Sequence, residues 1–481
     1  MSDSAASAQK RPHVVVVGGG FGGIAAVRKL KRADVDVTLI DRHNYNTFSP
    51  LLYQVATASL NPGDITWFLR AIRAKQSNVR FLKGTVTSMD HEAKTLLLDG
   101  GVEVKYDQLV IAVGVTANFF GIPGAEKYSM PLYRRSQALA VRDKMFANLE
   151  DAAINGQDRD LRIVVVGGGA TGVETAGAFA ELRNNDMPTT YPELDTKRVH
   201  ITLVEMQPFV LAPFHPSLRD YAKRSLEKRD VDLRLETAVK EVREDGVLVE
   251  HNGQEEFLPA GIVVWGSGVT AHSAVKEWSV PQGRGGRIET DEHLRVKGMS
   301  DVFAIGDVAV SPDKPLPQLA QPALQGGKHV AKVIAAEVKG KSLPKPFKYK
   351  DKGTMATIGR SSAVAEIKFL PRLKGFLAWI IWVALHIATL LGNRNRFATL
   401  TNLTAKYLVG RSHNAIVGET PPVVALAPLT VEARSPRKAA AKAAAKKAPV
   451  KKAAAKKTPA GPPPVKQPAA QKTAAKKAPT D

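Results

Sequence analysis

The chain of 481 residues contains no cysteine. That absence excludes disulfides, thiolate-bound zinc, cysteine-ligated iron–sulfur clusters and any thiol-based redox step. Long apolar runs are also missing. The longest candidate, residues 376–391, has sixteen members and one ionisable residue, His386. As a helix it would span about 24 Å, short of the roughly 30 Å of a bilayer core. The first dozen residues are polar and lack the apolar centre of a signal peptide, so the sequence predicts a protein that is not exported. Acidic residues are outnumbered, 46 against 68 basic, for a net charge of +22. The last 48 residues, from Arg434, supply +13 of it through fourteen Lys/Arg and one Asp. With 44% hydrophobic residues over the whole chain, the composition is that of a globular protein large enough for two or three domains.

What is present is organised around His13-Val-Val-Val-Val-Gly18-Gly19-Gly20-Phe21-Gly22-Gly23. An apolar strand enters a glycine turn, and an amphipathic segment over 24–30 follows. Gly18, Gly20 and Gly23 stand in the register that lets backbone approach a pyrophosphate at a helix N-terminus. A second apolar strand over 35–40 ends at Asp41, placed to accept from both hydroxyls of an adenosine ribose. Pro62, Gly63 and Asp64 predict a turn and the cap of a helix running to Lys75. Short strands are expected over 79–81, 84–89 and 95–98, and a buried one over 109–114.

The pattern then restarts. Residues 161–166 lead into Gly167-Gly168-Gly169-Ala170-Thr171-Gly172, and the strand over 199–204 ends at Glu205. Residues 262–268 echo the strand over 109–114. Two dinucleotide-binding units in one chain point to electron transfer between two nucleotides, nicotinamide to flavin. Glu205 favours NADH, because a 2′-phosphate would meet its carboxylate. A late block, Ala304-Ile305-Gly306-Asp307, completes the first fold, which is therefore split around the second. A helix follows to Val338, and 347–367 alternates like strands.

Arg372, Lys374, Arg394 and Arg396 flank the apolar run, and Trp379 and Trp382 lie within it. That suits a helix lying on an anionic lipid surface, extended by a weaker amphipathic segment over 397–408. The alternative is a core or dimer-interface helix. From Thr420 onward Pro, Ala and Lys predict a disordered cationic tail, either binding anionic lipid or nucleic acid or only solubilising.

The chain resembles the two-dinucleotide-binding-domain flavoproteins, and among them the bacterial type II NADH:quinone oxidoreductases. The residues that carry the resemblance are the two glycine turns with Val173-Glu174, and Phe48-Ser49-Pro50-Leu51-Leu52-Tyr53-Gln54-Val55-Ala56. Ala304 to Asp307, Ala320-Gln321-Pro322-Ala323-Leu324-Gln325 and Gly353-Thr354-Met355-Ala356-Thr357-Ile358-Gly359-Arg360 complete it. The match covers about residues 10–415 and leaves the tail outside. It implies that Gly18, Gly20, Gly22 and Gly23 hold the FAD pyrophosphate, with Asp41 and Arg42 at its adenosine. Val86 would meet the adenine, Ala112 and Pro50 would wall the flavin, and Asp307 would bind the ribityl chain or phosphates. Gly167, Gly169, Thr171, Gly172, Glu205 and Gly268 would bind NADH. The helix from Gln321 would aim its dipole at the flavin edge where charge develops. Gln321 and Gln325, four apart on one helix face, match a quinone motif; the alternative is hydrogen bonding within the protein. Glu174 would position hydride transfer near the nicotinamide, or simply sit favourably in the first turn of its helix. Disulfide reductases and sulfide:quinone oxidoreductases share the architecture but need thiols, so electrons must leave the flavin directly.

The expected fold is α/β: two Rossmann-like domains, the second inserted in the first, then a C-terminal membrane-associating region and a disordered tail. The expected boundaries are 1–12 disordered, 13–158 and 280–345 binding FAD, 159–279 binding NADH, 346–419 at the membrane surface or dimer interface, and 420–481 the tail. The expected function is a peripheral flavoenzyme on the cytoplasmic face of a bacterial membrane, a homodimer with non-covalent FAD and no metal. It would oxidise NADH and reduce a lipid quinone without pumping protons. Two alternatives are a soluble NADH-dependent reductase for a protein acceptor and a flavin redox sensor whose tail binds nucleic acid.

Overall fold

The computed structural model describes residues 11–155, 160–368 and 370–409. The expected disordered start up to residue 10 and the tail over 420–481 lie outside the described residues. Strand β1 (His13–Val17) runs into helix α1 (Phe21–Lys29), then β2 (Asp36–Asp41), β3 (Val79–Lys83) and β4 (Gln108–Ile111). The chain next forms β5 (Met130–Pro131) and the long helix α2 (Arg135–Asn155). After these come β6 (Leu161–Val166), α3 (Ala170–Glu181), β7 (Val199–Val204), β8 (Asp232–Arg234) and β9 (Ile262–Trp265). Strand β10 (Val302–Ala304) and helix α4 (Ala320–Val338) then return to the first lobe. The C-terminal region holds β11 (Thr354–Gly359), β12 (Ser362–Glu366), β13 (Leu373–Gly375), α5 (Phe376–Thr389) and α6 (Asn393–Val409).

Two five-stranded parallel sheets result. The first has the order β10-β4-β1-β2-β3, so a strand from residue 302 onward closes a sheet begun at residue 13. The second has the order β5-β9-β6-β7-β8. Because successive side chains of a strand face opposite ways, the four valines of β1 serve two cores. Val14 and Val16 pack toward α1 and α4, and Val15 and Val17 toward the opposite layer. Strand β6 repeats the device, with Ile163 and Val165 on one side and Val164 and Val166 on the other. Burial on both faces is why these strands read as unbroken apolar runs. Strand β5, short of residue 158, belongs to the second sheet.

The antiparallel sheet β11-β12-β13 packs on α3. A Cβ on Gly177 of that helix would stand 2.4 Å from the Ile358 carbonyl oxygen, so the approach requires glycine. The apolar stretch expected over 376–391 is a fourteen-residue helix, α5, half sunk in the core through Ala378, Trp379 and Trp382.

Two expectations are corrected. No α-helix runs from Asp64 to Lys75. Instead Thr66–Phe68 is a strand paired with Tyr45–Thr47, followed by a 3-10 turn over Leu69–Lys75. Thr, Trp and Phe in succession suit a pleated edge, and Asp64 is spent elsewhere, its carboxylate accepting from Asn402 Nδ2 of α6 at 2.6 Å. The alternation over 347–367 becomes strand only from Thr354, because Lys350 to Gly353 pair locally with Gln325 and Asp351.

Candidate functional site

The two glycine turns are superimposable in their bonding. Gly18 has φ 109° and Gly167 φ 104°, backbone that side chains rarely adopt. Gly19 N–H donates to Asp41 Oδ2 at 2.6 Å, and Gly168 N–H to Glu205 Oε2 at 2.5 Å. The other oxygens accept from His43 N–H at 2.7 Å and Gln207 N–H at 2.8 Å. A Cβ on Gly23 would fall 1.9 Å from the Gly18 carbonyl oxygen, and on Gly172 1.7 Å from that of Gly167. Those two glycines therefore serve the close packing of helix on turn. Gly327 does the same for α4 against α1, where a Cβ would fall 2.2 Å from the Gly22 carbonyl oxygen.

Between the first turn, α3, α4 and α5 lies a cavity of about 590 Å³. It is walled by Gly18, Gly20, Gly22, Asp41, Arg42, Pro50, Val86, Ala112 and Asp307, all expected at the flavin. Thr171 and Glu174 reach it from the second lobe and His386 from α5. Gly20 presents open space where a Cβ would stand. Helix α1 begins there with no side-chain cap, as does α4 at Leu319, so their first N–H groups are free for a ligand. An elongated cavity with uncapped helix N-termini, a glycine cradle and a ribose-level carboxylate fits FAD. Burial lifts Asp307 to about 6, against the pull of Arg287.

Other expected residues lie off this wall. Gly167, Gly169, Gly172 and Glu205 shape the second turn, whose helix α3 also begins without a side-chain cap. Gly268 has φ 67°, and a Cβ there would strike the Phe120 ring at 2.2 Å; its carbonyl accepts from Tyr133 Oη at 3.1 Å. Gln321 and Gln325 share a face of α4, with Gln325 Nε2 3.5 Å from Gln321 Oε1. Gln325 is engaged inside the protein, donating to the Lys350 carbonyl at 2.9 Å and accepting its N–H at 3.0 Å.

Glu174 is buried, and burial pushes its carboxyl up to about 8, although the Thr357 N–H donates to it at 3.2 Å. The Trp382 indole N–H pulls the same way as Thr357, though it sits outside hydrogen-bonding geometry. His386 stacks on the Trp382 ring at 4.0 Å and its Nδ1 donates to the Trp382 carbonyl at 2.7 Å. Burial lowers its pKa to about 4, so it is neutral and Nε2 is a free acceptor. Sequence reasoning missed Tyr133, Arg134, Arg135 and His272, which also line the cavity. Their signals were a bare Arg-Arg pair and a histidine outside any motif. Among the described residues no cluster of three His, Asp or Glu could hold a metal.

Fold and cavity together define a flavoprotein with two dinucleotide-binding lobes. Residues 12–327 match the pyridine nucleotide-disulphide oxidoreductase family, and residues 352–412 match the NDH2 C-terminal domain. The type II NADH:quinone oxidoreductase NdhA of Mycobacterium tuberculosis is 38% identical over 408 residues, 81% of this chain and 86% of that one. Its counterpart in Staphylococcus haemolyticus is 34% identical over 75% of this chain and 90% of its own length. The solved structure of NDH2 from Plasmodium falciparum with NADH shares the fold, with a TM-score of 0.76, 23% identity and coverage of 84% and 99%. The chain belongs to the type II NADH:quinone oxidoreductases. Nothing in these likenesses favours a protein-acceptor reductase or a nucleic-acid-binding sensor.

Proposed function

We propose that this cavity is where NADH oxidation meets quinone reduction. As a member of its family the chain oxidises NADH, carries FAD and reduces quinone. The observation behind our reading is that one cavity is walled by the first glycine turn, by Thr171 and Glu174 of the second lobe, and by His386 of α5. Bound FAD would supply two-electron transfer between hydride donor and quinone. The residues of the chain orient and protonate. Gly18, Gly20, Asp41, Arg42, Val86 and Asp307 hold the flavin dinucleotide, and Pro50 and Ala112 wall its ring. Gly169, Thr171 and Glu205 hold NADH. Glu174 keeps a proton near neutral pH and can release it to a quinone oxygen, while His386 Nε2 accepts a hydrogen bond. Gln321 stands in the first turn of α4, next to Ala320 of the cavity wall.

The same reading places the protein on a membrane surface, at its cytoplasmic face in a bacterial respiratory chain, as a homodimer. Among the described residues no helix is long and apolar enough to cross a membrane. Yet α5 and α6 leave Phe376 and Phe397 61% and 73% exposed, with Leu377, Ile380 and Leu400 beside them in sequence periodicity. Arg372, Lys374, Arg394 and Arg396 flank this apolar face, matching anionic lipid. The expected domain boundaries form part of this proposal.

Anaerobic mixing of the detergent-purified enzyme with NADH should bleach the flavin band, and a short-chain quinone should restore it. Bleaching without quinone-driven recovery would sink the quinone reading. Loss of vesicle binding in Leu377→Glu/Phe397→Glu, with NADH:dye activity kept, supports the membrane face; unchanged binding would refute it.

A further inference from the structure

The cavity wall carries more cations than the glycine turn needs. Arg42 follows Asp41 at the end of β2, while Arg134 immediately precedes α2 and Arg135 is its first residue, where the chain enters the second lobe. None of the three forms an ion pair among the described residues. Asp41 forms no ion pair with any of them; its two oxygens accept the backbone N–H groups of Gly19 and His43. Arg42 Nη2 instead contacts His272 Nε2 at 3.3 Å, and the Arg135 guanidinium lies 4.8 Å over the Tyr45 ring. Arg134 and Arg135 are half-buried.

The cluster repels itself. His43 faces Arg42, Arg134 and Lys83 as well as Asp41, and His272 faces Arg42 and Arg134. Burial with this charge lowers His272 to about 4, so it stays neutral and bridges the lobes without adding charge. Arg134 is itself pulled down by burial and by Arg42. Half-buried guanidinium groups that lack anions are costly, and a diphosphate supplies two negative charges and acceptors matched to the guanidinium fork. The segment is also fixed for the purpose. The N–H groups of Tyr133 and Arg134 both donate to Gln137 Oε1, at 3.0 and 2.9 Å, which holds the two arginines at the mouth.

We propose that Arg134 and Arg135, with Arg42 opposite, form an inter-lobe clamp on the diphosphate of the bound flavin dinucleotide. This rests on the first cavity being the flavin site. The clamp joins the lobe that holds the flavin to the lobe that receives the nicotinamide, and its ligand completes the charge balance between them. The same diphosphate chemistry is present in NADH, so the test separates the two sources.

The experiment compares the holoenzyme with Arg134→Gln, Arg135→Gln, the doubly substituted chain and the exposed control Arg284→Gln. FAD release into dilute buffer is followed by the rise in flavin fluorescence, from low to high salt. Release should accelerate about tenfold for each clamp arginine at low salt, and the doubly substituted chain should lose most of the salt dependence of the wild type. Arg134→Lys should restore part of the retention, which a folding defect would not allow; circular dichroism checks the fold of each variant. Release and salt dependence equal to those of Arg284→Gln would overturn the clamp while leaving the flavin site standing. A raised KM for NADH with FAD release unchanged would overturn it too, by assigning the arginines to the nicotinamide dinucleotide. A wild-type chain that binds no FAD would bring down both the clamp and the site reading.

Discussion

Glu174, past the first turn of α3, accepts the backbone N–H of Thr357 at 3.2 Å, tying that helix to the C-terminal sheet across 183 positions of sequence. Burial raises the carboxyl from its usual 4.5 to about 8, against the pull of that bond. A carboxyl raised on folding retains a proton that the unfolded chain has already released. Its stabilising contribution is therefore complete below about pH 4.5 and drains away as pH rises toward 8. Glu174→Gln should flatten the unfolding free energy over that window and leave the variant more stable than wild type above it. The same substitution should slow quinone-driven flavin reoxidation by about a hundredfold and remove its alkaline limb near pH 8, while NADH-driven bleaching changes less. Parallel stability profiles for the two proteins would refute the raised carboxyl.

Asp41 and Glu205 occupy equivalent posts in the two lobes, each fixing its glycine turn through paired backbone N–H bonds. Glu205 is then part of the turn, and on the proposed reading its charge also bars a 2′-phosphate. Glu205→Gln keeps one acceptor and drops the charge. NADPH should gain on NADH by about tenfold or more in kcat/KM, as expected for removing a single like-charge contact. Flavin content should stay at one per chain, since the first turn is untouched. An unchanged preference would place the 2′-hydroxyl elsewhere.

Gln321 and Gln325 look equivalent in sequence and are not so in the structure. Gln325 makes a two-way bond with the Lys350 backbone and so staples the chain between α4 and β11. Gln325→Ala should lower the melting temperature by a few degrees, the effect of about 1 kcal/mol. Gln321→Ala should spare stability and raise the KM for quinone. If Gln325→Ala instead shifts only the quinone KM, the staple contributes nothing and the pair acts as one quinone site.

The sequence made the lobes legible because every feature that builds them is local. A strand buried on both faces is an unbroken run of valines, the turn is a glycine triplet, and the acid ends the next strand. The split of the first sheet was legible too, through the echo of Ala304 to Asp307. What stayed hidden depends on distant partners. Arg134 and Arg135 carry no motif, and only the fold brings them to Arg42 and His272. Asp64 looked like a helix cap until α6, more than three hundred residues on, claimed its carboxylate. The approach of the Phe120 ring to Gly268, which leaves no room for a side chain, likewise joins residues far apart in sequence.

Helix α6 is held to the body by charge buried on both sides. Lys406 Nζ lies 3.3 Å from Glu181 Oε1 and donates to Ser59 Oγ at 2.6 Å, with both charged side chains under a tenth exposed. Glu181 Oε2 also accepts the Arg360 N–H at 3.0 Å. Removing one member leaves the other charge stranded, which costs about 3–5 kcal/mol, whereas removing both is close to neutral. Lys406→Met should therefore expose the amides of α6 to hydrogen exchange and lower the melting temperature. Lys406→Met/Glu181→Gln should recover most of the loss. Because Glu181 lies two turns along α3 from Glu174, loosening α6 should also disturb the cavity from its C-terminal side, weakening vesicle binding and quinone turnover together. A single variant that exchanges and melts as wild type would show that apolar packing of Leu403 and Tyr407, and not the ion pair, holds the helix in place.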